Sequence, residues 1–364
     1  MKSIGRSGPR SPKALLPADD SAPDGVEFRS SAVRRRGLRL ARNSSFWIVI
    51  IDLALVGVFG LLQQSFVSGA NLQSLALDAS EIVLLAAGEA MLLGAAEFDI
   101  SLGANLVLAS VVGGSVMVAL AGSPRQVASG HYPHVGIAIA IGVLSCVVVG
   151  TAVGGVNGWI VTRLRVNSLI ATLATFGIAS GIADIITNGG NVPFVPSAIQ
   201  TGFGLAALGG VVPLPAIVSL IALAAVWFMY NRTRFGVHAL ALGSSREAAV
   251  RAGLRVRWNV ARLFIVAGFF AGVAGLIDLA RFGTTDVGGH ANDALAAIAG
   301  AVIGGAALSG GRASIGGAIA GAFISVILES GLVMVGLSAF YQLIAVGVIL
   351  LAAVYLDQRR QRGT

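Results

Sequence analysis

A polar stretch, GSSREAAVRAGL at residues 243–254, separates two long apolar runs and has the signals of a complete short helix. The Ser244 hydroxyl can accept a bond from the Glu247 N–H while the Glu247 carboxylate reaches back, which forms a capping box. Glu247 and Arg251 stand four residues apart with the acid first, the better order for an ion pair. Gly253 can take the left-handed conformation that ends a helix. The stretch therefore predicts a helix of about eight residues, roughly 12 Å long.

This helix is predicted to pack against another protein surface, because two isolated helical turns are marginally stable. Their nucleation costs more free energy than their hydrogen bonds return. Ala248 and Ala252 lie at positions i and i+4 and form a small, smooth face. Leu254 can fold back on Ala249 and close the helix end. Two interpretations remain open: a helix that docks in a groove of another protein, and a capped connector that rests on its own membrane domain.

The composition places this stretch in a membrane protein. Of 364 residues, 55% are hydrophobic and 12% are charged, and the mean hydropathy is +0.85. Apolar runs of about 20 residues match the ~30 Å hydrocarbon core of a bilayer. They are too long and too rich in Ala, Leu, Val and Gly for the alternating strands of a barrel. The predicted fold class is therefore an all-α polytopic membrane protein.

About ten transmembrane helices fit the apolar runs. With both termini in the cytosol, the basic residues fall in inner loops, among them Arg163 and Arg165, as the positive-inside rule requires. The capped stretch then lies in the cytosol. The expected spans are about 46–68, 80–97, 103–121, 135–160, 168–187, 209–230, 259–281, 293–308, 315–334 and 337–355.

Three regions follow from this topology. Residues 1–45 are polar, basic and rich in Pro and Ser, which predicts a disordered cytosolic tail. Residues 46–358 form the predicted transmembrane domain, with a cytosolic loop at about 231–258, and residues 359–364 form a basic cytosolic end. The net charge of +8 comes from these loops and ends. It sets the orientation in the membrane and gives no reason to predict nucleic-acid binding.

No motif for catalysis or metal binding stands out. Cys146 is the single cysteine, and its place within an apolar run predicts a small packing residue. The four histidines are scattered, so no metal site is predicted. The segment LSGGR at 308–312 resembles the signature motif of an ATP-binding-cassette ATPase, but the chain has no GxxxxGK[ST] phosphate loop. Gly310 and Gly311 instead predict a tight cytosolic hairpin with left-handed turns.

The segment EFDISLG at 97–103 interrupts two apolar runs. Asp99 or Ser101 can cap the helix that follows, whereas a broken helix near the membrane can also expose backbone groups to a transport path. Both interpretations remain open, so Asp99, Ser101 and Gly103 are expected to form a cytosolic or pathway turn.

Polar side chains within or beside the spans are candidates for a translocation path. Asn157, Thr172, Thr175 and Asn188 are chosen for their polarity alone. Several acids also lie in or near spans, where a charge costs at least ~2.5–3.5 kcal/mol, so each should face a partner or a water-filled path. These acids are Asp52, Glu81, Glu89, Asp184, Asp278 and Glu329.

Five groups of residues share their order and spacing with one known family. They are EFDISLG at 97–103, VNG at 156–158 with VNSLIATL at 166–173, NGG at 188–190, TRFG at 233–236 leading to EAA at 247–249 and Gly253, and IGG at 303–305 through LSGGR at 308–312. Together they resemble the membrane permease subunit of bacterial ABC importers for monosaccharides, the ribose/xylose-type permeases. The resemblance runs from about residue 46 to 358.

The resemblance implies the ABC importer permease fold and a role for the polar stretch. The equivalent loop in that family is the coupling helix, which docks in a cleft of a cytosolic ATPase. The implied partners are this ATPase, a periplasmic or extracellular solute-binding protein and a second permease chain. ATP and Mg²⁺ would bind to the ATPase, and no cofactor is expected in this chain. The implied coupling-helix residues are Ser244, Glu247, Ala248, Ala249, Arg251 and Gly253.

The implied function is import of a monosaccharide or related small polar solute across the bacterial cytoplasmic (inner) membrane, without enzymatic activity. Some positions depart from the family pattern, most notably Ala294 and Ala296, which stand where sugar permeases often have an acidic pair. This departure leaves the solute open. Branched-chain amino-acid-type ABC permeases are one alternative, although their glycine-rich segment usually lacks the LxGG form found at 308–311. An ion-coupled secondary transporter that uses the intramembrane acids is another.

Overall fold

The computed structural model describes residues 44–290, 292–338 and 340–362. The predicted tail at 1–45 lies outside these ranges apart from Ser44 and Ser45, and so do the last two residues of the predicted C-terminal end. A 3₁₀ turn spans Gln64–Val67, and π turns span Ile160–Leu164 and Gln200–Gly204. The α-helices are α1 Ser44–Leu62, α2 Gly69–Gly94, α3 Leu102–Ala121, α4 Pro124–Ala128, α5 Val135–Trp159, α6 Ser168–Thr187, α7 Ser197–Ile199, α8 Leu214–Arg232, α9 Arg234–Ser244, α10 Arg246–Arg251, α11 Val256–Phe282, α12 Asp293–Ile303, α13 Ile315–Met334 and α14 Phe340–Arg362.

Predicted and observed helices agree best where an apolar run has a capped start. The Asn167 side chain accepts a hydrogen bond from the Leu169 N–H at 2.9 Å, which fixes the start of α6. The Ser314 hydroxyl accepts one from the Gly317 N–H at 3.0 Å and fixes the start of α13. Both helices occupy their predicted spans to the residue.

The second predicted span starts at the wrong residue. It was expected from about residue 80, but α2 begins at Gly69 and has 26 residues. The Ser68 hydroxyl caps its first turn by accepting from the Asn71 N–H at 3.3 Å. Polar residues in these first turns, such as Asn71 and Asp78, lowered the apolar signal from which the span was predicted.

The helix of the sixth predicted span, in contrast, begins later than predicted, at Leu214 in place of residue 209. Strand β1, Ala207–Leu208, pairs antiparallel with β2, Val212–Pro213. Gly209 and Gly210 form the turn between them, with φ of +61° and +71°. These positive φ angles suit a hairpin turn and not the start of a helix.

Six helices within the described ranges are long and apolar enough to cross a membrane. They are α3, α5 with its π turn, α6, α8, α11 and α13. The apolar helix α12 has 11 residues, which makes it about 16 Å long, only part of a hydrocarbon core of about 30 Å. The chain is thus a multi-pass membrane protein, and the count of about ten spans with both ends in the cytosol stays a prediction.

Helix α11 is central to the fold and packs against α2, α3 and α5. The repeat of small residues at Gly150, Gly154 and Gly158 on α5 predicts close helix packing. A Cβ atom at Gly154 would lie 2.2 Å from the Phe264 carbonyl oxygen, and one at Gly150 would lie 2.4 Å from the Gly272 Cα. The two helices therefore touch backbone to backbone, and the predicted packing is confirmed.

Candidate functional site

Helix α10 forms from the polar stretch, but its cap lies one residue later than predicted. Ser245 is the N-cap, and its hydroxyl accepts a hydrogen bond from the Ala248 N–H at 3.2 Å. Ser244 is instead the last residue of α9, where its hydroxyl donates to the Leu240 carbonyl at 2.8 Å. The predicted capping box between Ser244 and Glu247 is therefore wrong, because the preceding helix continues through Ser244. The helix has six residues and not eight.

The C-terminal end of α10 has the predicted left-handed glycine. Gly253 has φ of +79°. Its N–H donates to the Val250 carbonyl at 2.9 Å, and the Leu254 N–H donates to the Ala249 carbonyl at 3.0 Å. These two bonds form the Schellman closure and satisfy carbonyl groups that the helix end leaves free. The helix is thus terminated by its own sequence.

Helix α10 has one buried residue, and its other residues are exposed. Ala249 is buried, whereas Ala248 and Ala252 are exposed. Arg251 and Glu247 lie 3.8 Å apart as predicted, but their side chains are 78% and 89% exposed. An ion pair so exposed adds little stability. The geometry therefore fits both open interpretations: a connector that rests on its own domain and a surface free to dock.

An ion pair between an exposed arginine and a buried glutamate joins α10 to the segment that follows α2. Arg246 Nη2 donates to Glu97 Oε1 at 2.8 Å, and the Glu97 side chain is only 6% exposed. Burial raises the pKa of the Glu97 carboxyl, while hydrogen bonds from Ser168 and Arg246 oppose that rise. No local sequence pattern predicts this pair, because its partners are 149 residues apart.

Four glycines bring α2, α9 and the LSGGR hairpin into backbone contact below α10. The Gly311 N–H donates to the Gly94 carbonyl at 3.0 Å. A Cβ atom at Gly243 would lie 2.2 Å from that same carbonyl oxygen. Gly310 and Gly311 have φ of +83° and +78°, which confirms the predicted left-handed hairpin. We call these four residues the glycine junction: Gly94, Gly243, Gly310 and Gly311.

A cavity of about 700 Å³ opens beside α10. Three arginines, Arg165, Arg246 and Arg257, line it and give it positive charge, and Glu97 is the only acid in its lining. We call it the arginine cavity. The other lining residues are Ala96, Val161, Thr162, Val166, Asn167, Ser168, Val250 and Val256.

The segment at 97–103 is held by a buried polar network. Asp99 Oδ1 accepts hydrogen bonds from the Ser101 N–H at 2.9 Å and from the Ser101 hydroxyl at 2.6 Å. Asn157 Nδ2 donates to Asp99 Oδ2 at 3.2 Å and to Ser101 Oγ at 2.8 Å. Ser101 occupies the N-cap position of α3 without a side-chain cap bond. Ser101 therefore does not cap α3 through its side chain, because its hydroxyl donates to the neighbouring carboxylate, whereas Asp99 accepts the N–H of the N-cap residue.

The predicted path residues do not form one site. Asn157 belongs to the network just described, and Thr172 accepts a hydrogen bond from the Ile100 N–H at 3.2 Å. Thr175 donates to the Thr172 carbonyl at 3.1 Å. Asn188 is exposed and ends α6 with φ of +53°, about 24 Å along the helix from Thr172. Three of the four thus stabilise the segment at 97–103 and its supporting helix, and the fourth lies apart.

A second cavity, of about 460 Å³, is lined by α2, α11, α12, α13 and α14 and by the connection between α11 and α12. We call it the polar cavity. Its volume falls in the range of small-molecule sites. Its charged residues are Asp78, Glu81, Arg281, Asp286, His290, Asp293 and Glu329. Phe282, Leu295, Ala296, Ser325, Phe340, Gln342 and Leu343 also line it.

Two bases connect the acids of the polar cavity. Arg281 pairs with Asp78, and its Nη1 lies 3.9 Å from Glu81 Oε1. His290 places Nε2 3.1 Å from Asp278 Oδ1 and Nδ1 2.7 Å from Asp293 Oδ2. Three of the six acids flagged in the sequence, Glu81, Asp278 and Glu329, thus have a basic partner or line the cavity, as their cost in a membrane requires. Within the described residues, Asp52, Glu89 and Asp184 have neither.

His290 is the residue that sequence reasoning missed, because it was taken as one of four scattered histidines. A Cβ atom at Gly103 would lie 2.4 Å from the His290 carbonyl oxygen, so Gly103 makes room for this connection. Ligand atoms of Glu81, Asp278 and His290 lie within 4.8 Å of one another, close enough to share a metal ion. The sequence did contain a signal for this cluster, because Asp278, Arg281, Asp286, His290 and Asp293 fall within 16 residues of an otherwise apolar chain.

Ala294 and Ala296, the two departures from the family pattern, differ in their surroundings. Ala294 is buried, whereas Ala296 lines the polar cavity. The carboxylates of this cavity come from other elements, with Glu81 on α2 and Glu329 on α13. The cavity is therefore acidic even though this chain lacks the acidic pair of the family pattern.

The sequence profile of one permease family, described as "Branched-chain amino acid transport system / permease component", matches residues 71–354. The chain belongs to this family. No solved structure is significantly similar to it.

Curated relatives match most of the chain. The D-allose transport system permease protein AlsC of Escherichia coli is 31% identical over 317 residues, which cover 87% of this chain and 91% of the relative. The ribose import permease protein RbsC of Escherichia coli is 31% identical over 86% of this chain and 93% of the relative. The L-arabinose ABC transporter permease protein AraH of Azospirillum brasilense is 30% identical over 86% and 87%. The resemblance to sugar permeases of ABC importers is thus confirmed.

Proposed function

We propose that this chain is the membrane permease subunit of an ABC importer that moves a monosaccharide or related small polar solute into the cytoplasm. The observation that carries the proposal is the similarity to the allose, ribose and arabinose permeases over 86–87% of the chain. The family's description names branched-chain amino acids. The sugar permeases nevertheless match nearly their whole length, so sugar is the favoured solute class.

In this proposal, α10 is the coupling helix and docks on a separate cytosolic ATPase, which binds ATP and Mg²⁺. Its closed ends, the exposed Ala248 and Ala252 and the adjacent arginine cavity support this assignment. The permease itself makes and breaks no covalent bond. A movement of α10 reaches the membrane domain through the Arg246–Glu97 pair, which adjoins the buried network of Asp99 and Asn157.

The remaining parts of the assembly follow from the same proposal. The chain lies in the bacterial cytoplasmic membrane with about ten spans and both termini in the cytosol. It pairs with a second permease chain, for which a homodimer is the simplest arrangement. A solute-binding protein on the outside delivers the solute. Selection of the solute is shared between that protein and the permease.

An ion-coupled secondary transporter is the second candidate, and the buried acids of the polar cavity favour it. The two candidates differ in their source of energy. Uptake of labelled D-allose, D-ribose, D-galactose and L-arabinose is measured in cells of the source organism with and without this chain. We expect chain-dependent uptake of at least one sugar that stops when ATP is depleted and persists when the proton gradient is collapsed. The opposite dependence would identify a secondary transporter.

The coupling assignment is tested by co-purification of the ATPase with tagged chain. Gly253→Pro is the test variant, because proline holds φ near −65° where the native φ is +79°. Gly130→Pro is the matched control, since Gly130 has φ of +77° and open space around it but lies outside α10. We expect the ATPase to be lost from Gly253→Pro and retained by Gly130→Pro. Equal recovery with both variants would contradict the assignment.

A further inference from the structure

We infer that the polar cavity is the solute chamber of the permease and that it admits neutral, hydroxyl-rich solutes while excluding anionic ones. The inference rests on the proposed function. It adds the residues that contact the solute and the chemical class of solute that they select.

The charges of the polar cavity are unequal. Its lining contains five acids, Asp78, Glu81, Asp286, Asp293 and Glu329, and two bases, Arg281 and His290. Both bases are engaged in the contacts with carboxylates described above. Within the described ranges, neither Asp286 nor Glu329 forms an ion pair. The cavity therefore carries an excess of negative charge.

Glu81 supplies a second, independent observation, a buried carboxylate oxygen without a donor. The residue is 6% exposed, and its Oε1 has no hydrogen-bond partner in the described structure. The nearest base atom, Arg281 Nη1, lies 3.9 Å away, beyond hydrogen-bond distance. A buried carboxylate oxygen without a donor is costly. A solute hydroxyl at this position would provide the missing donor.

The chemistry of the lining defines the solute. Ionised carboxylates only accept hydrogen bonds, so they match a solute rich in donors, such as a polyol or sugar. A carboxylate or phosphate on the solute would face like charges in this cavity and be repelled by them. Phe282, Phe340 and Leu343 add apolar surface that can contact the C–H faces of a sugar ring.

The test uses a cysteine that reports on the cavity directly. Cys146 is fully buried, so Ala296→Cys gives the purified full-length chain one reactive thiol at the cavity wall. The rate at which a maleimide labels this thiol is followed in the presence of each of the four sugars of the uptake assay. The same is done with the aldonate of each sugar, in which C1 is a carboxylate. Ser129→Cys, an exposed site outside the cavity, is the control.

We expect the transported sugar to slow labelling of Ala296→Cys and its aldonate at the same concentration to leave labelling unchanged. Ser129→Cys should label equally under all conditions. Adding Glu81→Gln should raise the sugar concentration for half protection about tenfold, the effect of one lost bond to a charged group. Glu329→Gln removes a negative charge at an exposed position. The aldonate should therefore protect the cysteine from labelling more nearly as well as the sugar does. Asp184→Asn changes an exposed acid outside the cavity. It should alter neither the sugar concentration for half protection nor the difference in protection between sugar and aldonate.

Several outcomes would overturn the inference. They are no protection by a sugar that wild-type cells import, equal protection by the aldonate, or protection that Glu81→Gln does not alter. Protection by Zn²⁺ but by none of the sugars would identify a cation site at Glu81, Asp278 and His290 instead. If wild-type cells import none of the sugars, the proposed function fails, so the two failures are distinguishable.

Discussion

Helix α10 and the polar cavity are both built from polar residues in an apolar chain, but their parts are spaced very differently along the sequence. The start and the end of α10 are each set by residues fewer than six positions apart. The Arg281–Asp78 pair of the cavity joins residues 203 positions apart. Local signals therefore predict the first region, whereas the second becomes visible only when the helices are packed.

The largest predicted effect tests whether the two regions use ion pairs differently. Arg281→Met leaves Asp78 and Glu81 without their base, and the Arg281 side chain is only 18% exposed. Breaking a fully buried pair from one side costs about 3–5 kcal/mol, and the Asp78 side chain is 37% exposed, so the cost here should lie below that range but well above that of an exposed pair. We expect a large fall in the thermal unfolding temperature of the purified protein in detergent.

Arg251→Met is the matched change in α10. Its partner Glu247 is 89% exposed, so the loss should be about 0.5 kcal/mol or less. Equal losses for Arg281→Met and Arg251→Met would remove the energetic distinction between the two regions.

The glycine junction provides the next test. A Cβ atom at Gly243 would meet the Gly94 carbonyl oxygen at 2.2 Å, whereas one at Gly177 in α6 would meet nothing within 4 Å. Gly243→Ala should therefore cost about 1–3 kcal/mol by overpacking. Gly177→Ala should instead stabilise its helix by about 0.5–1 kcal/mol. Thermal unfolding and sugar uptake of the two variants measure the effects, and stabilisation by both would show that the junction is loose.

The last test concerns the register of the cap. Ser245→Ala removes the side chain that accepts from the Ala248 N–H and should cost α10 about 1 kcal/mol. Ser244→Ala removes only a hydroxyl that donates back to Leu240. Hydrogen exchange of the α10 amides should therefore accelerate in Ser245→Ala and stay nearly unchanged in Ser244→Ala. Faster exchange in Ser244→Ala than in Ser245→Ala would instead support the capping box predicted at Ser244.

Much of the fold could be predicted because it depends on local chemistry. Apolar runs gave the bounds of α6 and α13 to the residue, and Gly253 ended α10 through its positive φ. The error at Ser244 is one residue, and it arose because two serines in succession offer equivalent caps. The predicted start of a span was wrong where polar residues in the first turns of the helix lowered the apolar signal, as at the start of α2.

The candidate sites could be predicted only in part. Glu81, Asp278 and Glu329 were recognised as acids that need a partner or a path, since charge is costly in lipid. Their bases were not recognised, because the pairing of Arg281 with Asp78 depends on how α11 packs against α2. Asn157 and Thr172 were correctly seen as unusual polar residues, but polarity alone does not separate a path from a structural network.

The short helix α12 has a further electrical consequence. Its first residue, Asp293, and the preceding Asn292 line the polar cavity. The aligned peptide dipoles of a helix place roughly half a positive elementary charge at its N-terminus. That partial charge belongs to the backbone and has no proton to lose. A permanent electropositive point thus stands among the carboxylates at every pH, and in the proposed solute chamber it would orient a dipolar solute.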